Sequence, residues 1–578
     1  MWFLSLLTIL AGLLISPGVA QANDVYLAQN AAGSANGSSC ANAYAVTYFN
    51  TSGNWTSGTP SGTKIGPGTT VHLCGTFTGP APAGGAGNVG PNVLTFRGSG
   101  TSGSVITVLF ESGAMFTAPV WGWGGVAAIN LNSQSYILID GGKPCGTTTG
   151  GVNAGPCNGV IQNTANGMSA TYNQSSYAIE AQNTSNIEIR NLGIYNLYMH
   201  TAEQSRSSCS GEVDQTQVAA IRVDGSTTVS IHDNDMHDIG WAIPGVAFGT
   251  FQVYNNQIYN MDHGMAIGNS MNTNANGPLL IHDNHFGAMT NWDVEPANCD
   301  HHDGIHIWAQ QNGNSGTVNN VYIYSNQFDG DPGTGMNDYV FIEQAVNNVY
   351  VFNNDMVPSG GSGGYCVGCI GMGTKSPSTG DGMFVFNNDI RAAASGYANR
   401  SNAYFSLTTT NAWINNLTQG MNSAVAFGIN PGDTPTPCTS IGSISGCVLS
   451  NIYENLQLDG GSQNTFGYHS KNTASQSQWQ TGSSYLNGNY GADSGARLLS
   501  PLSAFLLNSN GVPQTGSPVI QAGTNLTSLC TGNLKPLCSD KYGNPRPTVG
   551  NWDVGAYQAS GSAPPPLSPP TNLTATAH

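Results

Sequence analysis

Between residues 187 and 455 the chain repeats one short pattern of apolar and polar positions. It reads IEIRN at 187–191, VSIHDN at 229–234, FQVYNN at 251–256, LLIHDN at 279–284 and VYIYSN at 321–326. VYVFNN at 349–354, MFVFNN at 383–388, AWINN at 412–416 and IYEN at 452–455 continue it. Each unit alternates and ends in Asn, so each predicts a strand with one buried face. From Asn234 to Asn416 the terminal Asn residues lie 22, 28, 42, 28, 34 and 28 positions apart. A repeat of this length predicts a stacked array. Propeller blades need four strands per repeat at a steadier length, and helical solenoids need 3.6-residue faces. One parallel strand position recurring per turn predicts a β-helix, with loops of unequal length leaving the corners. The terminal Asn tolerates left-handed dihedrals at a corner, and stacked in one column its side chains can form a ladder.

A second strand follows each corner. The series is YAIEAQ at 177–182, AIRVDG at 220–225, HGMAIGN at 263–269, DGIHIWA at 303–309, DYVFIEQ at 338–344 and GCIGMGT at 368–374. Alignment places Ile179, Ile221, Met265, Ile305 and Val340 inside. Glu180, Arg222, Asp224, His306, Trp308, Phe341 and Glu343 then point outward, and His263, Asp303 and Asp338 share one strand-start position. Adjacent strands sit about 4.8 Å apart, so these three form a short column if their coils are consecutive.

That column runs through CDHHDGIHIW, residues 299–308, where Asp300, His301, His302, Asp303 and His306 crowd together. Nine of the 12 His residues lie between 200 and 306, and convergent titratable groups mark sites. For a single His the alternative is a solvated polar position. A transition-metal site through His301, His302 or His306 is a further reading. His301 and His302 point to opposite faces of an extended strand, so they do not both ligate.

Only 8% of residues are charged, against roughly a quarter in an ordinary domain, while 76 are Gly. Such a chain relies on backbone ladders and uncharged polar groups, and its 39% hydrophobic content argues against disorder. The net charge of −17 repels nucleic acid, anionic lipid and polyuronate, the last unless a basic patch or a cation bridges the two.

The start, FLSLLTILAGLLI followed by SPGVAQA, predicts a signal peptide over 1–22 with Ala20 and Ala22 at the cleavage site. No later run is apolar enough to span a membrane, so the mature chain is expected to be secreted or at the cell surface, as a monomer. Twelve Cys in an exported chain predict disulfides. Near-neighbour pairs are Cys145–Cys157, Cys366–Cys369, Cys438–Cys447 and Cys530–Cys538, with Cys40–Cys74 and Cys209–Cys299 completing six. The alternative at Cys366 and Cys369 is zinc.

These repeats resemble those of secreted right-handed parallel β-helix proteins of the pectate-lyase-like superfamily, over roughly residues 70–480. DVYLAQNAAGSANGSSC resembles their N-terminal cap, giving a cap over 23–69. DKYGNPRPTVGNWDVGAYQ, 540–558, is similar to a tail that follows bacterial β-helices, giving an extension over 481–560 and a Pro-rich tail over 561–578. The resemblance implies an all-β, right-handed parallel β-helix that binds and cleaves a polysaccharide. In a hydrolase two carboxyl groups, such as Asp303 and Asp338, flank the bond. In a lyase Arg222, His263 or His306 is the base, and Asp262, Asp300, Asp303 or Glu343 holds Ca²⁺. Trp308, Glu343 and Glu180 would contact the sugar. The signatures of the β-helix polygalacturonases are incomplete: His302-Asp303-Gly304 matches one loosely, and Gly371-Met372-Gly373 lacks the His. A non-catalytic adhesin or glycan-binding β-helix is the other reading.

Overall fold

A computed structural model describes residues 24–79, 92–119, 121, 127–145, 157–164, 176–197, 218–269, 272–289, 302–309, 315–333, 336–343, 345–358, 369–373, 382–391, 403–406, 412–419, 426–428, 448–453, 457–459, 471–473, 495, 497–499 and 502–559. The N-terminal segment read as a signal and the Pro-rich tail lie outside these residues. Among the described residues no helix is long and apolar enough to cross a membrane.

The chain is a parallel β-helix. Strands pair in parallel with those one turn away, and three such sheets wrap one core. In the first sheet the buried column runs Ile137, Ile187, Val229, Phe251, Leu279, Val321, Val349 and Met383. Each such side chain stabilises the fold by about 1.5–3 kcal/mol on burial. The strand Asp24–Ala28, within the expected cap, already pairs in register with Thr70–Leu73. The solenoid continues past 480, since Arg497–Leu498 pairs in parallel with Ile452–Tyr453.

The Asn column is present at the corner after the first sheet. Asn234, Asn256, Asn284, Asn326, Asn354, Asn388, Asn416 and Asn451 form it, and each but the last passes an amide N–H to the next Oδ1, at 2.9–3.3 Å. Each also accepts at its Oδ1 the backbone N–H of the preceding corner, as Asn256 does from Asn234 and Asn451 from Asn416, so the column seals buried backbone as well. The left-handed turn belongs to the residue before the ladder Asn: Asp233, Asn255, Asp283, Ser325, Asn353, Asn387, Asn415 and Ser450 all have φ between 50° and 59°. Turning and stacking are therefore divided between two neighbours, because a residue whose amide must point inward cannot also reverse the chain.

Two corner assignments change. Asn191 aligns with Asp233 and takes φ 60°, with Leu192 at the ladder position. IYEN is the strand after its corner, and Asn451 is the ladder residue.

The C-terminal segment folds back along the corners. Asn353, Asn387 and Asn415 donate to the carbonyls of Ser539, Asp553 and Thr524. Tyr557 donates to Asp355 and the Arg546 guanidinium to Asn353. Leu526, Leu537 and Trp552 cover Phe352, Phe384 and Phe386.

Disulfides join Cys40–Cys74, Cys145–Cys157 and Cys530–Cys538, as expected from spacing. Cys369 is also disulfide-bonded, which removes the zinc reading of that motif. Cys209, Cys299, Cys366, Cys438 and Cys447 lie outside the described residues.

Candidate functional site

Seven strands of the third sheet, one per turn, carry the titratable residues: β1 (Ser176–Gln182), β2 (Val218–His232), β3 (Asp235–Tyr254), β4 (Gln257–Asn269), β5 (His302–Ala309), β6 (Met336–Glu343) and β7 (Ile370–Gly373). Their register makes a column of Tyr177, Ala219, Trp241, His263, Asp303 and Asp338. The aligned strand-starts are thus neighbours on consecutive turns. Three residues on, Ala266, His306, Phe341 and Gly371 form a second column, and Gly268, Trp308, Glu343 and Gly373 a third.

Strict alternation would send Asp303 inward with Ile305. The backbone prevents this. A Cβ on Gly304 would lie 2.9 Å from Phe328 Cε1, and one on Gly264 2.6 Å from Phe286 Cε1, so both positions face the core. Ile305 and Met265, the next residues, also face the core. Two successive inward positions reset the phase, and Asp303 and His263 end up on the same side as His306.

Five side chains then form one chain of alternating carboxylate and imidazole. Asp262 Oδ2 is 2.7 Å from His263 Nδ1, and His263 Nε2 is 3.3 Å from Asp303 Oδ2. Asp303 Oδ2 is 3.3 Å from His306 Nδ1, and His306 Nε2 is 3.3 Å from Glu343 Oε2. All five are buried, and Asp303 is 0% exposed. The Trp241 indole N–H donates to Asp262 Oδ2 at 2.9 Å, and the Asp338 backbone N–H to Asp303 Oδ1 at 3.1 Å. His302 is buried, its Nδ1 3.6 Å from Asp262 Oδ1. Asp338 Oδ2 lies over Gly371, where a Cβ would come within 2.2 Å of it.

Burial disfavours charge on His263, but Asp262 and Asp303 outweigh it and push the imidazole up to about 10. Burial would raise Asp262; His263 and His302 outweigh it and hold the carboxyl well below the usual range. His306 is pushed down, by burial first and by His263 besides, against the pull of Glu343 and Asp303.

Aromatic rings frame the cluster. Trp308 lies against Gly268, where a Cβ would meet its ring at 2.2 Å, and His306 is 4.5 Å away between ring centres. Trp241 meets Trp308 edge-on at 6.1 Å. Trp308 is only partly buried, so it presents ring surface beside the cluster.

Arg222 and Glu180 are apart from this centre. They pair with each other across β1 and β2; Arg222 is three turns from His306, or roughly 14 Å at the usual strand spacing, and Glu180 is four. Arg222 donates to Asp224 at 2.8 Å and to the Tyr177 hydroxyl at 2.7 Å. Glu180 accepts from Asn130 at 2.8 Å, and burial raises its carboxyl. The shared outward phase of Arg222 and His306 is correct, while their proximity is not. Asp300 and His301 lie outside the described residues. Asp262, expected as a calcium ligand, has one oxygen engaged by Trp241 and His263.

The place of Trp241 in the column is encoded in the sequence by spacing. Its offset of 22 to His263 equals the offset of Asn234 to Asn256 on the same turn. Among the described residues three other His side chains serve the scaffold. His232 and His282 stack with Tyr254 and Tyr324, and His237 stacks with Tyr195 and Tyr259.

No family model and no curated protein matches the chain. Among solved structures it is similar to the pectate lyase Pel9A, at 14% identity over 94% of this chain and 98% of that one, with a TM-score of 0.33. It is similar to the GH136 lacto-N-biosidase from Eubacterium ramulus at 12% identity over 64% of each chain, TM-score 0.35. XylC, solved with xylose, matches at 13% identity over 65% of this chain and 53% of that one, TM-score 0.25. At these identities and scores, every residue's role has to be read from the geometry of this chain.

Proposed function

We propose that this protein is an extracellular enzyme that cleaves a polysaccharide, and that the bond is broken beside Asp303. The observation that carries this is the buried carboxylate–imidazole chain from Asp262 to Glu343 on the outer face of β4–β6, next to the exposed part of Trp308. A scaffold gains nothing from burying five ionisable groups in one place, since each costs desolvation. An aromatic surface beside them suits a sugar ring.

Hydrolysis of an uncharged glycan is the reaction favoured. Asp262, Asp303, Asp338 and Glu343 give the centre a carboxylate excess, which repels a uronate. The one arginine on this face among the described residues, Arg222, is three turns away and paired with Asp224. Asp303 and Asp338 sit on adjacent strands in register, a spacing of about 5 Å that suits a two-carboxyl mechanism. At that spacing one carboxylate bonds to the anomeric carbon as the bond to the leaving oxygen breaks, and the other, as the carboxylic acid, protonates that oxygen. Water then displaces the carboxylate from the anomeric carbon and gives its proton to the second group, which restores both.

The experiment is a glycan-panel screen of secreted, mature protein for new reducing ends and for unsaturated products. Reducing ends without unsaturation are expected from neutral glycans. Asp303→Asn should lower turnover by roughly two to four orders of magnitude with the fold intact. Unsaturated products from a uronate would replace hydrolysis with elimination. Glycan binding without cleavage, unchanged in Asp303→Asn, would make the protein a glycan-binding β-helix.

A further inference from the structure

We infer that His263 Nε2, Asp303 Oδ2 and His306 Nδ1 are the protein ligands of one divalent transition-metal ion of the zinc type. The three atoms lie within 4.8 Å of one another on three buried side chains. Asp303 Oδ2 is 3.3 Å from each imidazole nitrogen. Donor atoms around a tetrahedral ion with bonds of roughly 2.0–2.2 Å are themselves separated by about 3.3 Å. The two nitrogens of His263 differ accordingly: Nδ1 makes a short 2.7 Å contact with Asp262, and Nε2 stands off at the metal spacing.

The surroundings support the same assignment. An imidazole that binds a metal usually has its other nitrogen on a carboxylate, which fixes the ring. Here both do, His263 on Asp262 and His306 on Glu343. Asp262 is held in turn by the Trp241 indole N–H. The Asp338 backbone N–H takes Asp303 Oδ1, which leaves Oδ2 turned to the two imidazoles. Three carboxyl groups around two imidazoles make a buried site with a surplus of negative charge, which a dication offsets. The set is two nitrogens and one oxygen. Calcium takes six to eight oxygens, so the donors fit zinc or a neighbouring first-row ion. Three ligands among the described residues match the ligand number of catalytic zinc sites, which keep a position for water or substrate. The ion's part in catalysis rests on the proposed function; its binding does not.

The test uses full-length mature protein stripped with chelator, then titrated with Zn²⁺ by calorimetry and with Co²⁺ by visible absorption. One tight equivalent is expected, with a d–d band for Co²⁺. Asp303→Asn should lose that equivalent, and Glu343→Gln should weaken it about 10–100-fold. His285→Gln, at the partly exposed His285–Asp329 pair, should leave it unchanged. Zn²⁺ binding equally well to wild type, Asp303→Asn and Glu343→Gln would overturn the assignment, as would no saturable binding to wild type. If circular dichroism shows Asp303→Asn unfolded, the wild-type and Glu343→Gln titrations decide. Metal binding without any glycan cleavage would defeat the proposed function and leave this site standing.

Discussion

Asp303 and His306 are three residues apart on one strand, yet Asp303 Oδ2 lies 3.3 Å from His306 Nδ1. An extended strand puts such residues on opposite faces, roughly 10 Å apart along the chain. They meet because Gly304 and Ile305 both face the core. Each strand that contributes to the column repeats the device: Gly264 precedes Met265, and Tyr339, buried against Phe328, precedes Val340. Glycine is needed at 304 because the carbonyl of Tyr339 occupies the space of a side chain.

Gly304→Ala tests this. The new Cβ would stand 2.6 Å from the Tyr339 carbonyl oxygen, so β5 and β6 must separate. A loss of about 1–3 kcal/mol in unfolding free energy is expected, with a fall in glycan cleavage, because Asp303 and His306 part. Gly53→Ala, where nothing lies within 4 Å, should change stability by less than about 0.5 kcal/mol. Chemical denaturation of both variants measures the difference. Equal stability and activity would mean the phase reset does not depend on glycine.

The Asn ladder gives a second comparison. Asn326 is 0% exposed, and its Oδ1 accepts both the amide and the backbone N–H of Asn284. Asn326→Ala orphans two buried donors, at about 1–3 kcal/mol each. Asn319 stacks in an outer ladder between Asn276 and Asn347, where water can substitute. Asn319→Ala should cost less than about 0.5 kcal/mol. Thermal unfolding that ranks the two variants the other way would remove the ladder from the stability of the solenoid.

The scaffold was legible because alternation and terminal Asn recur with each turn. Which neighbour turns and which stacks was not, since Asn suits both jobs and both residues of the doublet are often Asn. The doublet does encode one further thing. Where the C-terminal segment crosses, at Asn353, Asn387 and Asn415, the turning residue is Asn, which donates to the crossing carbonyls. Asp233 and Asp283, turning residues of earlier corners, instead accept from the preceding His232 and His282. At the site, aligned strand-starts brought His263, Asp303 and Asp338 together correctly. Arg222 was misplaced because a shared face says nothing about how many turns intervene, and Pro244 and Ala266 are easily missed as the residues between.

Stability should fall as pH rises through a carboxyl under the C-terminal segment. Asp389 accepts the Ala556 N–H at 2.9 Å and is buried beside Asp355. Burial first, and Asp355 next, push its carboxyl up to about 7 from the ordinary 3.8, over the opposing pull of Arg391. Between those values the folded state binds a proton that the unfolded state has released. The stability it contributes is therefore present below 3.8 and lost as pH rises to about 7. Asp389→Asn keeps the acceptor and removes the titration. Melting temperature measured from pH 4 to 8 should fall less steeply in the variant than in wild type, and parallel curves would exclude Asp389 as the cause.

The returning C-terminal segment should be part of the fold's stability rather than a separable tail. Trp552 is 0% exposed, and its indole N–H donates to the Pro547 carbonyl at 2.7 Å. With Leu526 and Leu537 it covers Phe352, Phe384 and Phe386, which face outward from the first sheet and would otherwise be an apolar patch. Trp552→Ala empties that layer, so a loss of about 3–5 kcal/mol is expected. The ladder and the inner core would remain, so the loss should begin at the corners. Hydrogen exchange should show the backbone near Asn387 and Asn415 opening first, because these side chains are hydrogen-bonded to the segment. If Trp552→Ala left exchange at those corners unchanged, the segment would be resting on the solenoid without holding it.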